Sequence, residues 1–208
     1  MKTAQNDIFE IASLQQLHML NFDIVYADGG EFGSMYGIHN ILLNNGSVYC
    51  SRRRGAINIL TQYRGYVESG IITDKTCSIS KMVIRAPRFG FTAPCKDGLI
   101  FISHKEINVS DTAMFDHFTK QDYEDYVKTK MESHDGILDD NDPVAWFTLT
   151  NEEDITTIIN LNFRSGKYVL IKLLRAYDYN GSAENIDIQY IGFIGCSGPR
   201  AFGWAKLC

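Results

Sequence analysis

From residue 38 onward the chain is written in short apolar runs, each closed by turn chemistry. The runs fall at 57–60, 79–85, 99–103, 144–149, 155–161, 168–175 and 186–194, and each has the length of a strand rather than a helix. Asn45-Gly46 is a hairpin signal, because both residues tolerate the left-handed conformation. Ile186, Ile188 and Tyr190 alternate with Asp187, Gln189 and Ile191, the period of a strand with two unlike faces. Other runs are apolar throughout, as in strands covered on both faces. Many short strands joined by turns make a sandwich or a barrel, so the expected class is an all-β antiparallel sandwich. Val83, Ile100, Val169, Ile171 and Ile188 are expected in its core.

Two stretches depart from this texture. Over residues 3–20, Ile8, Ile11, Ala12, Leu14 and Leu17 recur at helical spacing and predict a short N-terminal helix. Over residues 111–135, Met114, Phe115, Phe118, Tyr123, Tyr126 and Val127 do the same amid charged residues. This predicts a helical insertion lying outside the sandwich and removable without loss of the fold. Residues 28–34 carry three glycines and read as a loop. The layout is one domain over 1–208: helix and loop to 37, sandwich over 38–194 with the insertion, and a tail over 195–208.

The net charge of −5 gives no general attraction to nucleic acid. No run approaches the roughly 18 apolar residues of a membrane span, and the first residues lack a signal-peptide pattern. A cytoplasmic or nuclear location, with no membrane partner, is the resulting expectation. Cys50, Cys77, Cys95, Cys196 and Cys208 form no CxxC pair, which predicts reduced, mostly buried thiols.

No catalytic constellation emerges. Asp139, Asp140 and Asp142 lack the spacing and glycine of a calcium loop and read as a solvated acidic turn. His104, His117 and His134 sit in no metal-binding spacing and read as surface residues. Neither GxSxG nor GxGxxG is present. The expectation is no enzyme, no cofactor and no metal. What remains is recognition chemistry: the triplet Arg52-Arg53-Arg54 at a strand end, with planar forks of donors suited to carboxylates or phosphates. Beside it stand the proline- and phenylalanine-bearing loop 85–95 and the tyrosine-bearing loop 175–185.

These residues carry a resemblance. The stretch 165–194, with its apolar strand, Asn-Gly loop and final strand, looks like the end of a DOC domain, the galactose-binding-like jelly roll of an anaphase-promoting-complex subunit, related to discoidin domains. Phe91-Thr92-Ala93-Pro94 before the strand 99–103 resembles its middle, and 45–54 its early segment. Tyr49-Cys50-Ser51 stands where that family has a Trp-Ser-Asp element, and the insertion is extra. The resemblance implies a jelly roll of eight or nine strands whose loops at one end bind a ligand. The surface so implied comprises Tyr49, Ser51, Arg52, Arg53, Arg54, Arg88, Phe89, Phe91, Thr92, Tyr177, Asp178, Tyr179 and Asn180. It further implies a protein or peptide ligand and a substrate-receptor or scaffold role in a ubiquitin-ligase-like assembly. The alternative is a carbohydrate-binding or carbohydrate-active protein on the same fold, for which Asp178 and Glu184 are the candidate carboxylates.

Overall fold

The computed structural model describes residues 17–65, 67–68, 71–72, 76–87, 90–133, 138–150, 156–177 and 185–198. Two antiparallel sheets form the body. In spatial order the five-stranded sheet holds β2 (Phe22–Ala27), β4 (Ile57–Tyr63), β11 (Tyr168–Ala176), β8 (Cys95–Ser103) and β9 (Ala145–Thr148). The four-stranded sheet holds β1 (His18–Leu20), β13 (Tyr190–Ser197), β7 (Cys77–Arg85) and β10 (Thr156–Gly166). Two short ribbons complete the fold, β3 (Tyr49–Cys50) with β12 (Asp187–Ile188) and β5 (Val67–Glu68) with β6 (Ile71–Ile72).

Strand periodicity sorts the side chains into two apolar layers. Val169, Ile171 and Leu173 of β11 point inward with Ile57, Ile59, Ile100 and Ile102. They meet Met82, Ile84, Ile159, Ile191 and Phe193 from the other sheet. The alternate residues Leu170 and Leu174 of β11 join Leu60, Leu99 and Phe101 on the outer face. This explains why β11 reads as continuously apolar: both of its faces are covered.

The cover on the outer face is the insertion. A 3-10 segment (Val109–Phe115) leads to α1 (Lys120–Ser133). Phe115 packs on Phe101 at 5.4 Å between ring centroids, on Phe118 at 4.9 Å and on Tyr126 at 5.2 Å. Lys172, on the same face of β11, is 0% exposed and ion-paired with Asp116 of the insertion. The helical insertion is therefore present, but it is no dispensable appendage: removing it would strip Phe101 and Leu170 of their cover and leave Lys172 buried without a counter-charge.

Other expectations are corrected locally. The helix over 3–20 lies outside the described residues as far as residue 16, and its last turn is instead β1, paired with β13 through Met19 and Ile194. The sandwich thus begins at residue 18, not 38. Ile100, Val169, Ile171 and Ile188 are buried as expected, but Val83 is half-buried and faces outward. The cause is an extra residue in β7: Ile79 and Lys81 oppose the adjacent residues Gly195 and Ile194, so Ser80 is a bulge that shifts the alternation. A break at Gln189 does the same in the last strand. Ile188 and Ile191 share the core, while Asp187 is buried rather than outward-facing.

The acidic turn is not simply solvated either. Asp142 is buried, accepts the Tyr126 hydroxyl at 2.5 Å and the Asp139 N–H at 2.8 Å, and lies 3.3 Å from Lys130. It anchors α1 to the chain entering β9. Cys50, Cys77, Cys95 and Cys196 are buried thiols that form no disulfide, and Cys208 lies outside the described residues. Among the described residues no helix is long and apolar enough to cross a membrane.

Candidate functional site

Three loops meet at one end of the sandwich. The first follows β2 and is fastened by Asp28. Its carboxylate accepts the Asn58 backbone N–H at 2.7 Å, the Asn58 side-chain amide at 2.8 Å and an Arg53 guanidinium N–H at 2.8 Å. Gly29 then passes so close to Tyr49 that a β-carbon there would lie 2.2 Å from the phenol oxygen, and Gly30 takes a φ of +61°. The Tyr49 hydroxyl donates to the Gly30 carbonyl at 2.8 Å. The Phe32 N–H donates to the Cys50 carbonyl at 3.0 Å, which turns the Phe32 side chain out to 71% exposure.

The second loop precedes β8. Phe91 meets the Tyr36 ring edge-on, with centroids 6.1 Å apart and planes at 90°. The third is the segment entering β12. Ser51 and Ile186 exchange two hydrogen bonds, N–H to carbonyl at 3.1 Å and N–H to the Ser51 hydroxyl at 2.8 Å. Ala93 and Asp187 do likewise: the Asp187 N–H donates to the Ala93 carbonyl at 2.8 Å, and the Ala93 N–H donates to the Asp187 carboxylate at 3.2 Å. Residues far apart in sequence, 49–54, 90–93 and 185–187, are thereby sewn together.

Between them opens a cleft of about 380 Å³. Phe32 and Tyr36 come from the first loop, Gly90, Phe91 and Thr92 from the second, and Cys50, Asn185 and Asp187 from the β3–β12 ribbon and its approach. Asp187 is 1% exposed, and Asn185 donates its side-chain amide to it at 2.5 Å. Burial pushes the Asp187 carboxyl above its ordinary range, an effect that the Cys50 thiol, the Ala93 N–H and the Asn185 amide only partly offset. Burial and the nearby carboxylate hold the Cys50 thiol above its own range.

The anticipated site residues divide into five groups. Phe91 and Thr92 line the cleft. Tyr49 and Ser51 are 0% exposed and hold the loops from beneath. Burial first, then Asp28 and Glu31, push the Tyr49 phenol up, so it acts as a hydrogen-bond donor. Arg52, Arg53 and Arg54 follow β3 in an exposed bend, as a strand-end position requires, but Arg53 is engaged with Asp28. Tyr177 reaches away, donating its hydroxyl to the Leu149 carbonyl at 2.7 Å under Lys96. Arg88, Phe89, Asp178, Tyr179, Asn180 and the paired candidate Glu184 lie outside the described residues.

Sequence reasoning missed Phe32, Tyr36, Asn185 and Asp187. A signal existed for the first: an aromatic residue between glycines in a polar loop cannot be buried by strand alternation. None existed for Asp187, whose strand pattern points the other way.

No protein-family model matches the chain. Over 134 residues it is 25% identical to zinc finger ZZ-type and EF-hand domain-containing protein 1 of Mus musculus, a stretch that is 61% of this chain and 4% of that protein. The chain thus spans a small fraction of that relative's length. A putative chitobiase fragment from Bacteroides thetaiotaomicron superposes with a TM-score of 0.55 at 9% identity, over 86% of this chain and 92% of that one. CBM32-3 from a family 31 glycoside hydrolase of Clostridium perfringens gives 0.53 at 11% identity, over 84% and 90%. The family 32 carbohydrate-binding module of NanJ from C. perfringens, solved in complex with galactose, gives 0.52 at 7% identity, over 86% and 99%. The fold is the galactose-binding-like jelly roll. At such identities the likeness concerns the fold alone.

Proposed function

We propose that this jelly roll is a non-catalytic carbohydrate-recognition module and that it takes its sugar in the loop-end cleft. The observation that carries the reading is the composition of the cleft: the aromatic rings of Phe32 and Phe91 beside the polar groups of Thr92, Asn185 and the buried Asp187. A pyranose has one face of C–H groups and a rim of hydroxyls. An aromatic ring covers the first, and fixed amide, hydroxyl and carboxyl groups satisfy the second. The volume falls within the roughly 300–1,000 Å³ of small-molecule sites. The galactose complex of a module with the same fold supports the choice of ligand class.

A second reading keeps the protein or peptide ligand implied by the DOC resemblance, including its ubiquitin-ligase setting. Its specific support is the exposed bend at Arg52 beside the cleft, a place for an acidic peptide. Titration of the chain with galactose, N-acetylgalactosamine and oligosaccharides, for wild type and Phe91→Ala, separates the two. Saturable sugar binding that the substitution weakens at least tenfold supports the carbohydrate reading. Absence of any glycan affinity, with an acidic peptide bound and lost in Arg52→Ala, supports the other.

A further inference from the structure

Asp187 is the residue of the cleft that the fold does not explain. Its carboxyl sits at 1% exposure against the cleft, and among the described residues no lysine, arginine or histidine pairs with it. Its partners are neutral donors: the Ala93 N–H, the Asn185 amide and the Cys50 thiol. Every other buried acid of the described residues has a cation. Asp97 has Arg175 at 3.2 Å, and Asp142 has Lys130 at 3.3 Å. Asp28, at the same end of the molecule, is matched by Arg53 at 2.8 Å.

A carboxylate taken out of water without a counter-charge is held at a cost of several kcal/mol. The donors around Asp187 relieve that cost but add no charge. A cation arriving in the cleft would add it. The lining favours such a guest: Asp187 is the one described carboxylic acid there, and no described lining residue is basic. Phe32, Tyr36 and Phe91 present ring surface near the same acid, and ring faces attract cations as well as C–H groups. The Tyr36–Phe91 pair, with planes at 90°, presents surfaces in two directions.

We propose that the cleft selects carbohydrates bearing a free protonated amine, with the Asp187 carboxylate receiving the ammonium while the aromatic rings cover the sugar ring. This rests on the carbohydrate reading and sharpens it to a ligand class, the unacetylated hexosamine. N-acetylation removes the charge and replaces it with a bulkier neutral amide, so the site discriminates by charge. A carboxylated or sulfated sugar meets like charge at the base of the cleft and is rejected.

The test compares ligands on the unmodified protein first. At pH 6.5, where the amines are protonated, methyl glycosides of galactosamine and glucosamine are titrated against those of galactose and of the two N-acetylated hexosamines. The amines should bind at least tenfold more tightly, and their advantage should shrink in high salt. Asp187→Asn, checked for folding by circular dichroism, should bring the amine down to the affinity of the neutral sugar. Phe91→Ala should weaken charged and neutral sugars alike. Equal or tighter binding of the neutral or N-acetylated glycosides overturns the amine preference and leaves carbohydrate recognition standing. Absence of binding by every glycoside overturns both. If Asp187→Asn fails to fold, the ligand comparison on the wild-type chain still decides.

Discussion

The two sheets share one core but have unlike outer faces. The five-stranded sheet turns Leu60, Leu99, Phe101, Leu170 and Leu174 away from the core, and the insertion buries them. The four-stranded sheet turns out Lys81, Val83, Arg85, Ile158 and Asn160, of which Lys81, Ile158 and Asn160 are exposed, Ile158 at 60%. The first face needs a cover because its apolar residues are contiguous. The second needs none, because its apolar residues are few and lie among polar ones. The insertion is thus a second core layer built on one side, and its charges belong to that layer: Lys172 with Asp116, Lys130 with Asp142.

Four measurements break or sharpen this contrast. The largest effect belongs to the shared layer. Ile171→Asp places a charge between the sheets at a fully buried position and should cost more than about 4 kcal/mol, read as loss of cooperative unfolding in a urea titration. Next comes the capped face. Asp116→Ala leaves Lys172 buried without its partner and should cost about 3 kcal/mol, whereas Lys172→Met with Asp116→Ala should recover most of it. A double variant no better than Asp116→Ala alone would show that the ion pair is not what the cap protects.

A smaller effect is set by pH. Burial pushes the Asp142 carboxyl up, but hydrogen bonds from Tyr126 and the Asp139 backbone, together with Lys130, outweigh it, so the group sits below its ordinary range. A depressed folded-state pKa adds stability that is present above the ordinary carboxylate range, about pH 4, and is lost as pH falls through the lower folded value. Acidification below about pH 4 should therefore loosen the α1 region before the core, seen as faster proteolysis within residues 109–133. Asp142→Asn should show that looseness already at neutral pH. The smallest effect is on the open face. Ile158→Lys should change stability by no more than about 0.5 kcal/mol, and a larger loss would mean that this face is covered after all.

Much of the scaffold was legible along the chain. Residues 168–175 announced a strand, and the aromatic residues of 111–135 announced a helical element. Whether that element was separable was not legible, because its partners Phe101, Leu170 and Lys172 lie on strands whose outward orientation depends on register. Of the site, Phe91 and Thr92 were anticipated, and the resemblance implied that the early block near residue 50 and the loop 177–180 share one end; the segment near 185 that meets residues near 50 and 90 was not foreseen. Nor were Phe32 and Asp187.

Local chemistry determined which segments are strands, where the chain turns, and that the arginine triplet ends a strand. Those choices depend on side-chain period, on glycine and asparagine in turns, and on charge, all of which act over a few residues. Tertiary structure alone decided which way each side chain faces after a bulge. One extra residue at Ser80 turns Val83 outward, and the break at Gln189 reverses the alternation across it, with Asp187 just before the break buried against the cleft. A period of two carries no memory of an insertion, so the face of every later residue is fixed only by the partner strand against which it pairs.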